Sequence, residues 1–232
     1  MRCVVVGLAL VACGRLGFDP TASPARDAAS ADASHGAPVF VQLADLADSS
    51  SVFSVAYASP VATGNLLVVA VGTNSHGLVA ITDSNADSFV TLPELVTAAT
   101  SPVYVAWAIS TESGSNTVTV ELDGSDDAAV RVHEYANIGA DPFDTSATNT
   151  GSSAGIDAIE VQIDTHIDHE LVFAYAISEA ATASAGTGFM ARSTINGDVT
   201  EDATYAAPGA HAITATNTST PWAIEALAFK GP

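Results

Sequence analysis

Asp83-Ser84-Asn85-Ala86-Asp87 sets three oxygen-bearing side chains at alternate positions, the spacing with which the opening of a calcium loop converges ligands on a hard cation. The glycine and the distal bidentate glutamate of an EF-hand are missing. The competing expectation is a hairpin between Val79-Ala80-Ile81-Thr82 and Phe89-Val90, with Asp and Asn serving turn geometry. Asp123, Asp126 and Asp127 form a second acidic turn with the same ambiguity. His166 and His169, beside Asp164, Asp168 and Glu170, offer zinc-type ligands from a loop, but nothing nearby completes a set of four, and solvated turn residues are the plainer reading. Gly151-Ser152-Ser153-Ala154-Gly155 matches the G-x-S-x-G pattern. A nucleophile elbow needs a helix after its serine, whereas Ala158-Ile159-Glu160-Val161 reads as strand, so Ser153 is expected in a loop.

Glu134 alternates with Val130 and Val132 and so faces an interior, where a carboxylate needs a partner. Arg131 points to the opposite face and cannot serve. A glycosidase needs two carboxylates across a cleft, and Glu134 with Glu225 is an imaginable pair, but no spacing brings them together. A satisfied, half-buried Glu134 is the expectation. No constellation assigns a catalytic residue, a cofactor site or a metal site; calcium at Asp83, Asn85 and Asp87 is the ion the spacing suggests.

These residues sit among short runs rich in Val, Ile, Thr, Tyr and Phe, separated by Gly, Asn, Asp, Ser and Pro, which is the pattern of strands and tight turns. Candidate strands are Val39 to Leu43, Val52 to Ala58, Leu66 to Thr73, Val79 to Thr82, Val103 to Ser110, Thr117 to Leu122 and Ala129 to Ala136. They continue with Ala158 to Asp164, Leu171 to Ser178, Gly188 to Ser193, Thr200 to Ala206, Ala210 to Thr216 and Trp222 to Phe229. No stretch sustains a helical period. Asn196-Gly197 predicts a two-residue type I′ hairpin, because both central positions need positive φ.

Val103, Val105, Trp107 and Ile109 alternate with Tyr104, Ala106 and Ala108, and Leu171, Phe173, Tyr175 and Ile177 alternate with Val172, Ala174 and Ala176. Strands apolar on both faces belong in the middle of a covered sheet. The expected class is all-β, a two-sheet antiparallel β-sandwich of jelly-roll type, with a β-barrel as the alternative. Gly64 to Val71 and His169 to Ala176 look alike, as corresponding strands of two sheet halves would, though the match is too short to establish a duplication. Trp107 and Trp222 read as core, leaving Tyr57, Tyr135 and Tyr205 as the aromatics able to form a sugar platform.

The chain holds 232 residues, 48% of them hydrophobic, enough for one substantial domain. Six basic against 26 acidic residues give a formal charge of -20, which disfavours nucleic acid as a partner and keeps the surface well solvated.

The amino terminus has a different grammar. Arg2 is followed by an apolar stretch from Cys3 to Ala12 and then by Cys13-Gly14-Arg15, the shape of an export signal and far shorter than the ~20 residues that span a bilayer. Leu10-Val11-Ala12-Cys13 resembles the lipobox of bacterial lipoproteins. That resemblance implies a signal peptide over 1–12, acylation of Cys13, and attachment to a membrane through lipid alone, several acyl chains making it effectively permanent. Gly14, where enteric lipoproteins retained at the inner membrane carry Asp, implies the outer membrane or cell surface. Residues 13–37 form the lipidated cysteine and a tether, its Asp19 to Pro38 stretch being too poor in apolar residues to order itself. Residues 38–232 are the β domain. Both cysteines precede residue 14, so a chain processed at Cys13 is stabilised by packing rather than by an internal disulfide.

Thr63-Gly64-Asn65-Leu66-Leu67-Val68-Val69, Ile81-Thr82-Asp83-Ser84, Asn116-Thr117-Val118-Thr119-Val120, Arg131-Val132-His133-Glu134-Tyr135 and Pro221-Trp222-Ala223 together resemble a β-sandwich domain scattered through secreted bacterial proteins. The resemblance covers roughly residues 38 to 230 and implies the fold without an activity. The leading expectation is a non-catalytic binding or adhesion module of the cell envelope, with a glycan or an envelope protein as partner. The alternatives are an envelope hydrolase acting on polysaccharide or ester, and a purely structural envelope component.

Overall fold

The computed structural model describes residues 36–97, 101–179, 183–218 and 220–232. Leu10, Cys13 and nearly all of the expected tether lie outside the described residues.

The described chain is all-β and antiparallel throughout. Its strands are β1 (Val39–Ala56), β2 (Leu66–Thr73), β3 (Leu78–Asp83), β4 (Val90–Thr91), β5 (Leu95–Val96), β6 (Pro102–Ile109) and β7 (Thr117–Ala136). They continue as β8 (Phe143–Gly151), β9 (Gly155–Thr165), β10 (Glu170–Ser178), β11 (Ser184–Ala185), β12 (Met190–Ser193), β13 (Val199–Tyr205), β14 (Gly209–Asn217) and β15 (Trp222–Phe229). Pairing gathers them into three sheets: β1-β7-β2-β6-β4 with β3 on β7 and β5 on β6, then β12-β13-β10-β15-β8, then β11-β14-β9. None closes into a barrel, because each ends in strands paired on one side only.

Two pairs of expected strands prove to be single long ones. Val39 to Leu43 and Val52 to Ala58 are the ends of β1, and Thr117 to Leu122 and Ala129 to Ala136 are the ends of β7. The polar Asp45-to-Ser51 and Asp123-to-Asp127 stretches read as breaks, but Asp45 to Ser50 pair with Arg131 back to Asp126, and a register shift lies between Ser50 and Val52. The Asn196-Gly197 hairpin is present: β12 pairs with β13, with Asn196 at φ 59° and Gly197 at φ 84°. Its connection is a 3-10 turn over Ile195–Gly197, longer than two residues, since Ser193 pairs with Thr200.

The chain repeats one pairing scheme twice. In residues 39–136, β1 pairs with β7, β7 with the central β2, β2 with β6 and β6 with β4, while β3 borders β7. In residues 143–229, β8 and β9 stand where the two ends of β1 stood, and β15 and β14 where those of β7 stood. β10 replaces β2, β13 replaces β6, β12 replaces β4 and β11 replaces β3. The look-alike segments, Gly64 to Val71 and His169 to Ala176, are the two central strands. Leu66 faces Tyr135 across the ladder as Leu171 faces Phe229, which fixes the correspondence residue by residue.

Both faces of each central strand are covered, which is why β2 and β10 are apolar without alternation. Leu67, Val69 and Val71 join Phe53, Val55, Val118, Val120, Val130 and Val132 in a core inside the first half. Val172, Ala174 and Ala176 join Ile159, Ile163, Ile213 and Ile224 in a core inside the second. A third cluster, the seam between the halves, takes the opposite faces: Leu66, Val68, Ala70, Val103 and Val105 against Leu171, Phe173, Tyr175, Leu227 and Phe229.

Candidate functional site

The alternation that puts Val130, Val132 and Glu134 into the first core puts Arg131, His133 and Tyr135 into the seam, where three linked polar contacts tie the halves together. Arg131 is wholly buried. Its Nη1 donates to the Tyr175 hydroxyl at 2.7 Å and its Nη2 to the Ile195 carbonyl at 2.5 Å and to Asp198 Oδ2 at 3.1 Å, with the guanidinium 4.8 Å from the Tyr175 ring centroid. Burial pushes the Asp198 carboxyl above its ordinary range, and Arg131 and the Tyr175 hydroxyl pull it back only in part. His133 shares a 2.9 Å hydrogen bond between Nε2 and the Thr200 hydroxyl; burial pushes its imidazole down to about 3, so it is a neutral core residue. Tyr135 donates to Asp202 Oδ2 at 2.7 Å, and Arg192 grips both oxygens of Asp202 at 2.7 and 2.8 Å while lying over the Phe40 ring.

The seam is open elsewhere. Glu225 also faces it, opposite Tyr175 in β10 and Thr148 in β8. It is 1% exposed, its Oε2 has no hydrogen-bond partner, and burial pushes its carboxyl up to about 8. It lies at the floor of a cleft of ≈230 Å³ walled by Pro93, Glu94 and Leu95 before β6 and by Ser146, Ala147 and Thr148 of the edge strand β8. Glu94 is exposed at the rim, accepting from the Tyr104 hydroxyl. Glu201 is a second buried carboxyl pushed up to about 8; one oxygen accepts from the Gly186 N–H and the other is unpartnered.

The other sequence candidates take partners within the fold, although Asp87 Oδ2 and Glu170 Oε1 are buried without one. In the Asp83 turn, Asp83 accepts from the Asp87 N–H at 2.9 Å and from Asn116 Nδ2 at 2.7 Å, while Asp87 Oδ1 takes the Thr111 N–H and hydroxyl. Asn85 reaches only the Glu112 carbonyl. The expected hairpin is corrected too, for β3 pairs with β7 and β4 with β6, so this turn crosses between partners. Asp126 Oδ2 caps the N–H groups of Asn74, Ser75 and His76, and Asp123 pairs with His76. Asp127 accepts from Ser49.

His166 and His169 occupy the β9–β10 turn; His166 pairs with Asp144 at 2.7 Å and Glu170 Oε2 accepts from the His166 and Ile167 N–H groups. No group of three or more His, Cys, Asp or Glu side chains able to hold a metal is found among the described residues.

Ser153 sits in the β8–β9 loop and donates to the Ala158 carbonyl. Glu134 is satisfied by Gln42 Nε2 at 2.5 Å, the Ala62 N–H at 3.0 Å and Asn65 Nδ2 at 2.6 Å, all from its own half. It shares no face with Glu225, because the one looks into the first core and the other into the seam. Trp222 is core and Trp107 is half-buried, stacked on Phe143. Tyr57 and Tyr135 are corrected from exposed to buried: the first packs in the first core and the second hydrogen-bonds inside the seam. Tyr205 stacks on His211.

Arg192, Asp198, Glu201 and Asp202 were not singled out in the sequence. Their signal is a charge inside a strand pattern, as in Thr200-Glu201-Asp202-Ala203. Compared with known proteins, the chain matches no family model, no curated protein and no solved structure.

Proposed function

We propose that this chain is an envelope lipoprotein, held by lipid on Cys13 and a tether over 13–37, whose paired jelly-roll-like sandwich halves bind a ligand rather than transform it. The reading keeps the resemblance to secreted bacterial β-sandwich domains and places the protein at the outer membrane or cell surface. The observation that carries the binding function is the Glu225 cleft: a buried carboxyl oxygen lacks a partner at the floor of an opening to solvent. A buried polar atom without a partner costs about 1–3 kcal/mol, a cost that an incoming hydrogen-bonding group removes. The test is a nuclear magnetic resonance titration of the full chain with panels of envelope glycans and peptides. Saturable shifts confined to Pro93 to Leu95, Ser146 to Thr148 and Glu225 are expected; a panel with no binder rejects the reading.

A second reading has one observation behind it. A carboxyl that keeps its proton to about pH 8 is a candidate general acid, and the Glu94 carboxyl at the rim of the same cleft offers the second carboxyl that glycoside hydrolysis uses. Turnover of a glycoside panel, lost in Glu225→Gln, would establish hydrolysis in place of binding.

A further inference from the structure

The repeated pairing scheme gives the Glu225 cleft an internal reference. With Leu66 matched to Leu171, Ala70 corresponds to Tyr175, and their ladder partners Arg131 and Glu225 correspond to each other. Val71 and Ala176 correspond likewise, so their partners Tyr104 and Val199 do, and the residues just before these, Val103 and Asp198, occupy equivalent places. The 3-10 turn at Ile195–Gly197, which supplies a carbonyl to Arg131, lies between β12 and β13, as the Pro93-to-Leu95 wall lies between the matching β4 and β6.

At one position, then, the chain fills the pocket with its own guanidinium and holds it with a carboxylate, a phenol hydroxyl and a carbonyl. At the matching position it provides a carboxyl, with Val103 where the counter-charge would stand, and leaves the pocket open. The polar side chains lining the cleft are Glu225, Glu94, Ser146 and Thr148, two carboxyls and two hydroxyls with no cation among them.

We propose that the Glu225 cleft receives a guanidinium group, the arginine side chain of a peptide or protein partner, and so completes from outside the pairing that Arg131 and Asp198 complete within. This rests on the binding reading above and names its ligand class. The ≈230 Å³ of the cleft falls below the ~300–1,000 Å³ of sites for drug-sized ligands, which suits one side chain. A planar fork of donors matches the carboxyl geometry better than an ammonium does. An excess of 20 negative charges draws a basic segment toward the surface. Glu94 is the one other ionisable side chain lining the cleft, and burial alone keeps Glu225 protonated. A bound guanidinium displaces that proton, so affinity rises with pH toward 8.

The experiment titrates the full chain with capped Gly-Arg-Gly, with its citrulline counterpart, and with free agmatine, following resonances of residues 93–95 and 146–148 at pH 6 and pH 8. Gly-Arg-Gly should bind saturably and more tightly at pH 8. Citrulline in place of arginine, or Glu225→Gln in the protein, should weaken it about tenfold or more, the loss expected for one hydrogen bond to a charged group. Thr148→Trp, at an exposed position on β8 in register with Glu225, should block the cleft while leaving the Glu225 carboxyl in place. Agmatine binding as tightly as the peptide would point to a free small cation and overturn the peptide part of the proposal. Citrulline binding equally well, or Glu225→Gln binding unchanged, overturns the guanidinium assignment. If a neutral glycan binds at the cleft and Gly-Arg-Gly does not, the assignment fails and the binding reading stands; if neither binds, both fail.

Discussion

Arg131 and Glu225 stand at matched places in the two halves, on strands that pair in the same way with the two central strands, yet their surroundings are opposite in kind. Around Arg131 the second half contributes a carboxylate, a hydroxyl and a carbonyl, and the buried guanidinium is partnered by all three. Around Glu225 the first half contributes Pro93, Glu94, Leu95 and an opening, and the group stays neutral to about pH 8. A charge is carried into an interior only with its partners; without them, the protonation state gives way.

The largest effect that would sharpen this contrast is expected at Arg131. Replacing it by Leu strands Asp198 in the seam and should destabilise the fold by about 3–5 kcal/mol in urea unfolding at pH 7. Glu225→Gln should be neutral or stabilising under the same conditions. Equal losses at the two sites would erase the distinction.

Next in size is a dependence on pH. The folded chain keeps the Glu225 and Glu201 protons to about pH 8, whereas ordinary glutamate gives them up near 4.5. The folded state therefore binds more protons between those values. This contribution to stability is complete below about pH 4.5 and is lost as the pH climbs through 8. From pH 6 to pH 9 each group should cost on the order of 2 kcal/mol, read as a falling urea midpoint, and Glu225→Gln should remove its share. A midpoint that stays flat over this interval would show that the two carboxyls are already ionised in the fold.

Gly72→Ala tests the close approach at the Arg131 end. A Cβ there would collide with the Tyr175 hydroxyl, the atom that accepts from Arg131. A loss of about 1–3 kcal/mol is expected, with part of it coupled to Tyr175 in a double-mutant cycle with Tyr175→Phe. Strict additivity of the two changes would place the strain elsewhere. The smallest effect is Tyr135→Phe, about 1 kcal/mol for the bond to Asp202, with Arg192 still holding that carboxylate.

The all-β class and most strands were legible because Val, Ile, Thr and aromatic runs alternate between turn residues along the whole domain. The unbroken length of β1 and β7 was not, since a bend across a register shift leaves the same polar residues in a strand that a turn would use. Two-faced β6 and β10 announced that more than one layer would cover them. Periodicity says how many faces a strand buries and not which sheet covers each, so a two-sheet expectation did not reveal the third sheet. Parity placed Glu134 and Arg131 on opposite faces. It was silent on whether Glu134 would find Gln42 and Asn65, 92 and 69 positions away, or Glu225 nothing, because those answers depend on residues far apart in the chain. The likeness of the two central strands was visible as eight residues; the equivalence of Arg131 and Glu225 needed the ladders.

The seam also sets a constraint in time. Synthesis delivers residues 39–136 before residues 143–229, and until the second half is present nothing covers the seam faces of Leu66, Val68, Ala70, Val103 and Val105. That surface stays adhesive until the second half arrives to cover it, a window in which the chain is prone to stick to copies of itself. Residues 39–136 carry 11 acidic side chains against Arg131 alone, a net -10, so charge is a guard as well as a coat, holding half-finished molecules apart until each has closed on its own second half.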